Sequence, residues 1–161
     1  MMVDKHKLLE AVRLTLEAKA EAMRASVAAT HEAATHEEAR PENDKDTRGL
    51  EASYLARGQA MRVEELEEAA SRLRFIDLRA YTETDPIGLG ALVTLATDET
   101  SSLYFLVPVA GGTKIAVEGV EVQLVTPAAP LGRALIDKLV GDDFTLRVAG
   151  REREYEIEEV A

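Results

Sequence analysis

Apolar side chains recur at intervals of three and four residues in two long runs within the first half of the chain. Leu9, Val12, Leu16, Ala20, Met23 and Val27 form one stripe; Ala52, Ala56, Ala60, Val63, Leu66, Ala70, Leu73 and Ile76 form the other. That period puts each run on one side of an α-helix, and a helix with a single apolar stripe needs a second surface to cover it. The two stripes satisfy each other as an antiparallel coiled-coil hairpin, with arms of about 30 residues and roughly 45 Å of reach at ~1.5 Å per residue. Bulky side chains gather at the end away from the connection. Ala25, Ala28, Ala29, Ala33, Ala52 and Ala56 dominate the other end, which predicts a finger that narrows toward its tip.

At the connection Pro41 interrupts the helical pattern and Asn43 and Asp44 supply turn chemistry. Thr47 or Asp46 suits the cap of the returning helix, with Glu51 near its first turn. Glu37, Glu38, Glu42, Asp44 and Asp46 place five carboxylates within ten residues. Most acidic loops are solvated connections. A long thin hairpin has little stability of its own, however, so ordering that much chain to expose carboxylates argues for a use of them.

Composition changes near Thr82. Pro41 is the one proline before it; after it come most of the glycines and prolines and alternating Val-, Thr- and Leu-rich runs. The change divides the chain into 1–81 and 82–161, with "TETDPIG" as linker and Asp85-Pro86 as a turn. "ALVTLA", "LYFLVPVA", "TKIAVEG" and "VEVQLV" read as strands, with Gly111-Gly112 as a turn. Pro130 opens a helix whose Leu131, Leu135 and Leu139 share a face, and Gly141 stops it. "DFTLRV" and "EYEIEEV" form a hairpin across Gly150, with Phe144, Leu146, Val148, Tyr155 and Ile157 inward. The expected fold class is α+β: the helical hairpin, then a small antiparallel sheet with one helix.

Net charge is −11, spread as −3 over residues 1–80 and −8 over 81–161. Neither half has the basic face from which nucleic-acid binding takes its affinity, so direct sequence-specific binding is not expected and a protein partner with basic surface is. No cysteine is present, which excludes disulfides, Cys-ligated zinc and thiol catalysis. His31 and His36, five apart, do not share a helix face as metal ligands would, and His6 is remote. No run approaches the roughly 20 apolar residues that cross a bilayer. A soluble, cytoplasmic monomer with no cofactor of its own is expected.

The stretch "VTPAAPLGRALIDKLVGDDFTLRVAGREREYEIEEV" resembles the C-terminal domain of the GreA/GreB family of bacterial transcript cleavage factors. The residues that carry the resemblance are Pro130, Leu131, Gly132, Ala134, Leu135, Gly141, Asp142, Tyr155, Glu156 and Ile157, and Glu42 and Asn43 match the Glu-Asn pair of the family's tip. The resemblance implies an FKBP-like C-terminal domain that docks on bacterial RNA polymerase through Pro130, Leu131, Gly132 and Asp142. It also implies a coiled coil that enters the polymerase secondary channel and brings Glu38, Glu42, Asp44 and Asp46 to the active centre. There Glu42 and Asp44 would share the polymerase's own Mg²⁺, and cleavage of backtracked RNA would follow on the polymerase's active site, not on one of this chain's own. Ala39 stands where the family carries an Asp three residues before the Glu, Ala129 where it usually carries Ser, and Asp137 where Gly is common. A shifted tip also suits a second expectation, a non-cleaving regulator or inhibitor of the same channel.

Overall fold

The computed structural model describes residues 3–38 and 43–161, and at 30–31, 33–38, 43–48 and 52 it describes the backbone alone. The protein is α+β, with two long helices followed by a six-stranded sheet and one short helix. It divides into two compact units, residues 1–12 with 72–161 and residues 13–71.

The unit of residues 13–71 is made of α1 (Lys5–Glu38), less its first turns, and α2 (Asn43–Leu73) up to Ser71. Leu16, Ala20, Ala56, Val63, Leu66 and Ala70 are buried. Arg24 pairs with Glu67, and Gln59 donates to Ser26 Oγ at 3.1 Å, so the two helices lie against each other along this stretch. The buried phase of α1 runs Leu8, Val12, Leu16, Ala20 in steps of four, with Leu9 only half-buried. Three details of α2 differ from expectation: Ala60 is exposed, the helix begins at Asn43 instead of being capped at Asp46 or Thr47, and Ile76 lies beyond its end. A turn in which the Phe75 amide donates to the Arg72 carbonyl follows Leu73.

In the other unit, α1 is preceded by Asp4, whose Oδ1 accepts the amides of His6 and Lys7 at 2.9 and 3.3 Å as an N-cap. The sheet holds β1 (Leu92–Ala96), β2 (Ser101–Leu106), β3 (Lys114–Val117), β4 (Val120–Val125), β5 (Asp143–Val148) and β6 (Arg151–Val160) in the order β3-β4-β2-β1-β6-β5. It is mixed and not purely antiparallel, because β2 and β4 run parallel. The chain leaves β2, passes beyond it to lay down β3, and returns as β4 into the gap between them. Tight two-residue turns at Glu118-Gly119 and Ala149-Gly150, all with positive φ, close the β3–β4 and β5–β6 hairpins.

The helix opening at Pro130 is shorter than its leucine spacing suggests. This helix, α3 (Pro130–Leu135), stops because Asp137, at φ 66, turns the chain toward Ile87. There the Asp137 amide donates to the Ile87 carbonyl and the Ile87 amide to the Lys138 carbonyl, both at 2.9 Å. Leu139 therefore leaves the helical face and is 37% exposed. Val148, at the hairpin end, is also outside the core at 41% exposure.

Both faces of the sheet are buried. Val93, Leu95, Leu106, Val125, Tyr155 and Ile157 pack with Leu135 of α3 on one side. Leu92, Phe105, Val122 and Leu124 alternate to the other side and are equally inaccessible. Val3, Leu8, Val12 and Leu73, buried within the same unit, are the apolar side chains available to cover them. Lys5 fixes this arrangement, its ammonium donating to the carbonyls of Arg79, Gly90 and Ala161 at 2.6, 2.8 and 3.1 Å and lying 5.1 Å from the Tyr81 ring centroid. The segment read as a linker is tied down as well: Asp85 Oδ2 accepts the Thr82 amide and hydroxyl, and Ile87 is in the core.

Lys5→Met removes a donor from three carbonyls and is expected to lower unfolding free energy by about 2 kcal/mol in urea titration. A loss within 0.5 kcal/mol, about the usual size for a surface change, would show the carbonyls re-solvated without cost. Thr82 holds the Asp85 carboxyl below its ordinary pKa of 3.8 through its backbone and then its side-chain hydrogen bond. The unfolded chain thus takes up the proton first as pH falls. The stability lost in Asp85→Asn should be present in full well above pH 3.8 and fade below it as the folded carboxyl protonates, which paired denaturation curves at descending pH would reveal.

Candidate functional site

The tip carboxylates lie at the far ends of the two long helices. Glu38 is the last residue of α1, and Asp44 and Asp46 belong to the first turn of α2. The backbone thus gathers these three positions at one end of the helical unit, while Glu42 lies outside the described residues. Among the described residues no group of three or more His, Asp or Glu side chains is arranged to hold a metal ion, and no helix is long and apolar enough to cross a membrane.

The residues expected to dock a partner are brought together less evenly. Pro130 is the first residue of α3 and Leu131 the second; both line a cleft of about 810 Å³ between α3, the sheet and the β5–β6 hairpin. Ala129, which stands where the family usually carries Ser, occupies the N-cap position without a side-chain hydrogen bond. Arg133 donates through its guanidinium to the Ala128 carbonyl at 2.8 and 3.1 Å, closing the turn that precedes the helix.

Gly132 is buried and presents no side chain to a partner. A Cβ there would overlap the Thr126 carbonyl oxygen and stand 2.7 Å from its carbon, so the glycine lets α3 press onto the end of β4. Asp142 is structural in the same sense. Its Oδ2 accepts the Leu139 amide at 2.8 Å, its amide donates to the Leu139 carbonyl, and its carbonyl accepts the Ile157 amide. Neither of these two residues lines the cleft; Pro130 and Leu131 do.

The rest of the cleft includes Leu146, Val148 and Tyr155, expected to face inward, and Tyr104, Gln123 and Arg153, to which sequence reading gave no role. Tyr104 and Gln123 lie opposite each other on β2 and β4, and Leu146 lies opposite Arg153 on the last hairpin. Phe144 and Tyr155 stack beside them with ring centroids 5.3 Å apart. Burial, and next the neighbouring Tyr155, push the Tyr104 phenol above its ordinary pKa against the opposing pull of Arg153. The signal for Arg153 was present in "REREYEIEEV": strict alternation puts Arg151, Arg153, Tyr155 and Ile157 on one face and the glutamates between them on the other.

Residues 82–161 match the family described as "Transcription elongation factor, GreA/GreB, C-term". Transcription elongation factor GreA of Xanthomonas axonopodis pv. citri is 35% identical over 102 residues, which span 62% of this chain and 61% of that protein. Transcription elongation factor GreA of Beijerinckia indica is 33% identical over 122 residues, covering 74% of this chain and 71% of the relative. This chain belongs to the GreA/GreB family. Among solved structures, the GreA factor homolog 1 (Gfh1) protein of Thermus thermophilus is similar over 94% of this chain and 95% of its own, at 22% identity and a TM-score of 0.39. For a GreA/GreB chain the family match coincides with the sheet region. The 74% alignment is longer than residues 82–161 can supply and so extends into the helices.

Gly132→Ala should lower stability by about 3 kcal/mol, because the added methyl meets backbone and not a movable side chain. A denaturation midpoint equal to that of the unaltered chain would mean that α3 moves off β4 freely.

Proposed function

We propose that this GreA/GreB-family chain acts on bacterial RNA polymerase. Its sheet unit, FKBP-like in the manner the family resemblance implies, docks on the enzyme, and α1 and α2 serve as an antiparallel coiled-coil hairpin inserted into the secondary channel. Its acidic tip then reaches the active centre and stimulates cleavage of backtracked RNA. The observation that carries this reading is family similarity extending from the sheet region into helices that end in a run of carboxylates. α2, with 31 residues, gives a reach of about 45 Å at ~1.5 Å per residue.

Carboxylates suit the task. Mg²⁺ takes oxygen ligands from one or two acidic side chains and keeps the rest of its shell as water, so Glu42 and Asp44 are the residues proposed to share the polymerase's magnesium. Glu38 and Asp46 would add acceptors that orient the attacking water. The chain needs no cofactor of its own in this scheme, and it works as a monomer because one channel admits one hairpin.

A specific observation favours a second reading. Ala39 replaces the Asp expected three residues before Glu42, and a displacement of about 1 Å can cost a hundredfold in rate when reacting groups must be aligned. The same shape would then occupy the channel without promoting cleavage.

Transcript cleavage in stalled, backtracked elongation complexes separates the two. The cleaving reading expects shortened RNA that Glu42→Ala with Asp44→Ala slows by about a hundredfold. Polymerase binding with no shortening at all would assign the chain to the non-cleaving class.

A further inference from the structure

Two strands end the sheet, β3 on one side and β5 on the other, and their outer edges are not equally protected. β3 has four residues and carries Lys114, which pairs with Glu121 of β4 at 3.6 Å. Short length and a lysine both discourage a further strand from adding to an edge. β5 has neither device. Its six residues, Asp143–Val148, run in unbroken register with β6 and include no proline, glycine or lysine. The Ala149-Gly150 turn decides which of its main-chain groups are spare. Val148, Leu146 and Phe144 exchange hydrogen bonds with β6, so the amides and carbonyls of Asp143, Thr145 and Arg147 point away from the sheet. All three residues are exposed. Among the described residues no backbone group bonds to them at that outer edge, and neither Asp143 nor Arg147 has an ion pair.

We infer that the free edge of β5 pairs with β5 of a second copy of this chain, antiparallel and about a two-fold axis at Thr145. The strand is self-complementary in that register. Asp143 of one copy stands opposite Arg147 of the other and Thr145 opposite Thr145, each pair exchanging main-chain hydrogen bonds. On the other face Phe144 meets Leu146, and both are only half-buried in the single chain. Within one chain Asp143 and Arg147 are about 13 Å apart along the strand and cannot pair with each other. Moving the axis by two residues sets Asp143 against Asp143 or Arg147 against Arg147, so charge selects one register. The inference does not depend on the polymerase reading: the dimer is a form of the free chain, in equilibrium with the monomer that reading invokes.

The test is sedimentation velocity of the full chain, without polymerase, for the unaltered protein, Asp143→Arg, Arg147→Asp and an equimolar mixture of the two variants. Both positions are exposed on a strand held by β6, and thermal melts confirm that each variant is folded. A single strand pair is a small interface, so the unaltered chain is expected to pass from monomer to dimer over about 10 µM to about 1 mM. Each variant alone places like charges opposite each other and should associate about tenfold more weakly or worse. The mixture restores an Arg opposite an Asp at both ends of the pairing and should associate as well as the unaltered chain. Asp143→Arg makes the chain less negative and Arg147→Asp more so, which separates the pairing from general repulsion between acidic molecules. A monomer throughout that concentration range overturns the inference. So does association that either variant leaves unchanged, or a mixture that associates no better than its components.

Discussion

A sheet that buries large side chains on both faces must be covered twice, and α3 can provide only one cover. It has six residues and packs Leu135 over Val93, Leu106 and Ile157. Phe105, Val122 and Leu124 project to the opposite side and are as inaccessible as any residue in the chain. Val3, Leu8, Val12 and Leu73 are buried in the same compact unit, which takes in residues 1–12 and 72–81 as well as the strands. The composition change at Thr82 comes ten residues before β1 at Leu92, and the compact unit begins earlier still, at residue 72. Lys5 stands at this junction, holding the first turn of α1 to carbonyls from three distant parts of the chain.

What could be read from sequence followed the range of the interaction responsible. Strands and hairpin turns depend on alternation and on one or two residues of special backbone geometry, so β1, β3, β4, β5 and β6 fell where the pattern put them, while β2 runs Ser101–Leu106 and stops short of the apolar run to Ala110. The length of α3 did not follow from the pattern, because Ile87, some fifty residues away, accepts the amide of Asp137 at its carbonyl and donates its own amide to the carbonyl of Lys138. Leucines at i, i+4 and i+8 fit a longer helix equally well. The parallel pairing of β2 with β4 is a matter of strand order, on which period-two alternation is silent. The phase of α1 was misplaced by one residue at its start for a similar reason: Leu8 and Leu9 are both leucines, and only the sheet distinguishes them.

The candidate site was legible in part through resemblance and in part through pattern. Pro130, Leu131, Gly132 and Asp142 came from the family motif, which does not say why each residue is there. In the folded chain, Pro130 and Leu131 line the cleft while Gly132 and Asp142 have structural roles, the first yielding room to the Thr126 carbonyl and the second bonding to Leu139 and Ile157. Arg153 was legible in the alternation of β6. It was passed over because a strand written "REREYEIEEV" reads first as acidic.

That strand also shows why net charge is a poor guide to what a surface will accept. The glutamates of β6 at 152, 154 and 156 lie on one side, and the side shared by Arg153, Tyr155 and Ile157 carries none of them. Beyond a Debye length of about 10 Å at 0.1 M salt, individual charges are screened and only the net charge of −11 acts, which draws the chain toward basic surface. At contact distance the cleft presents Arg153 and apolar side chains with no acidic residue in its lining. Net charge and local pattern act at different stages: the first governs the rate at which a charged surface approaches, and the second governs how long a contact persists.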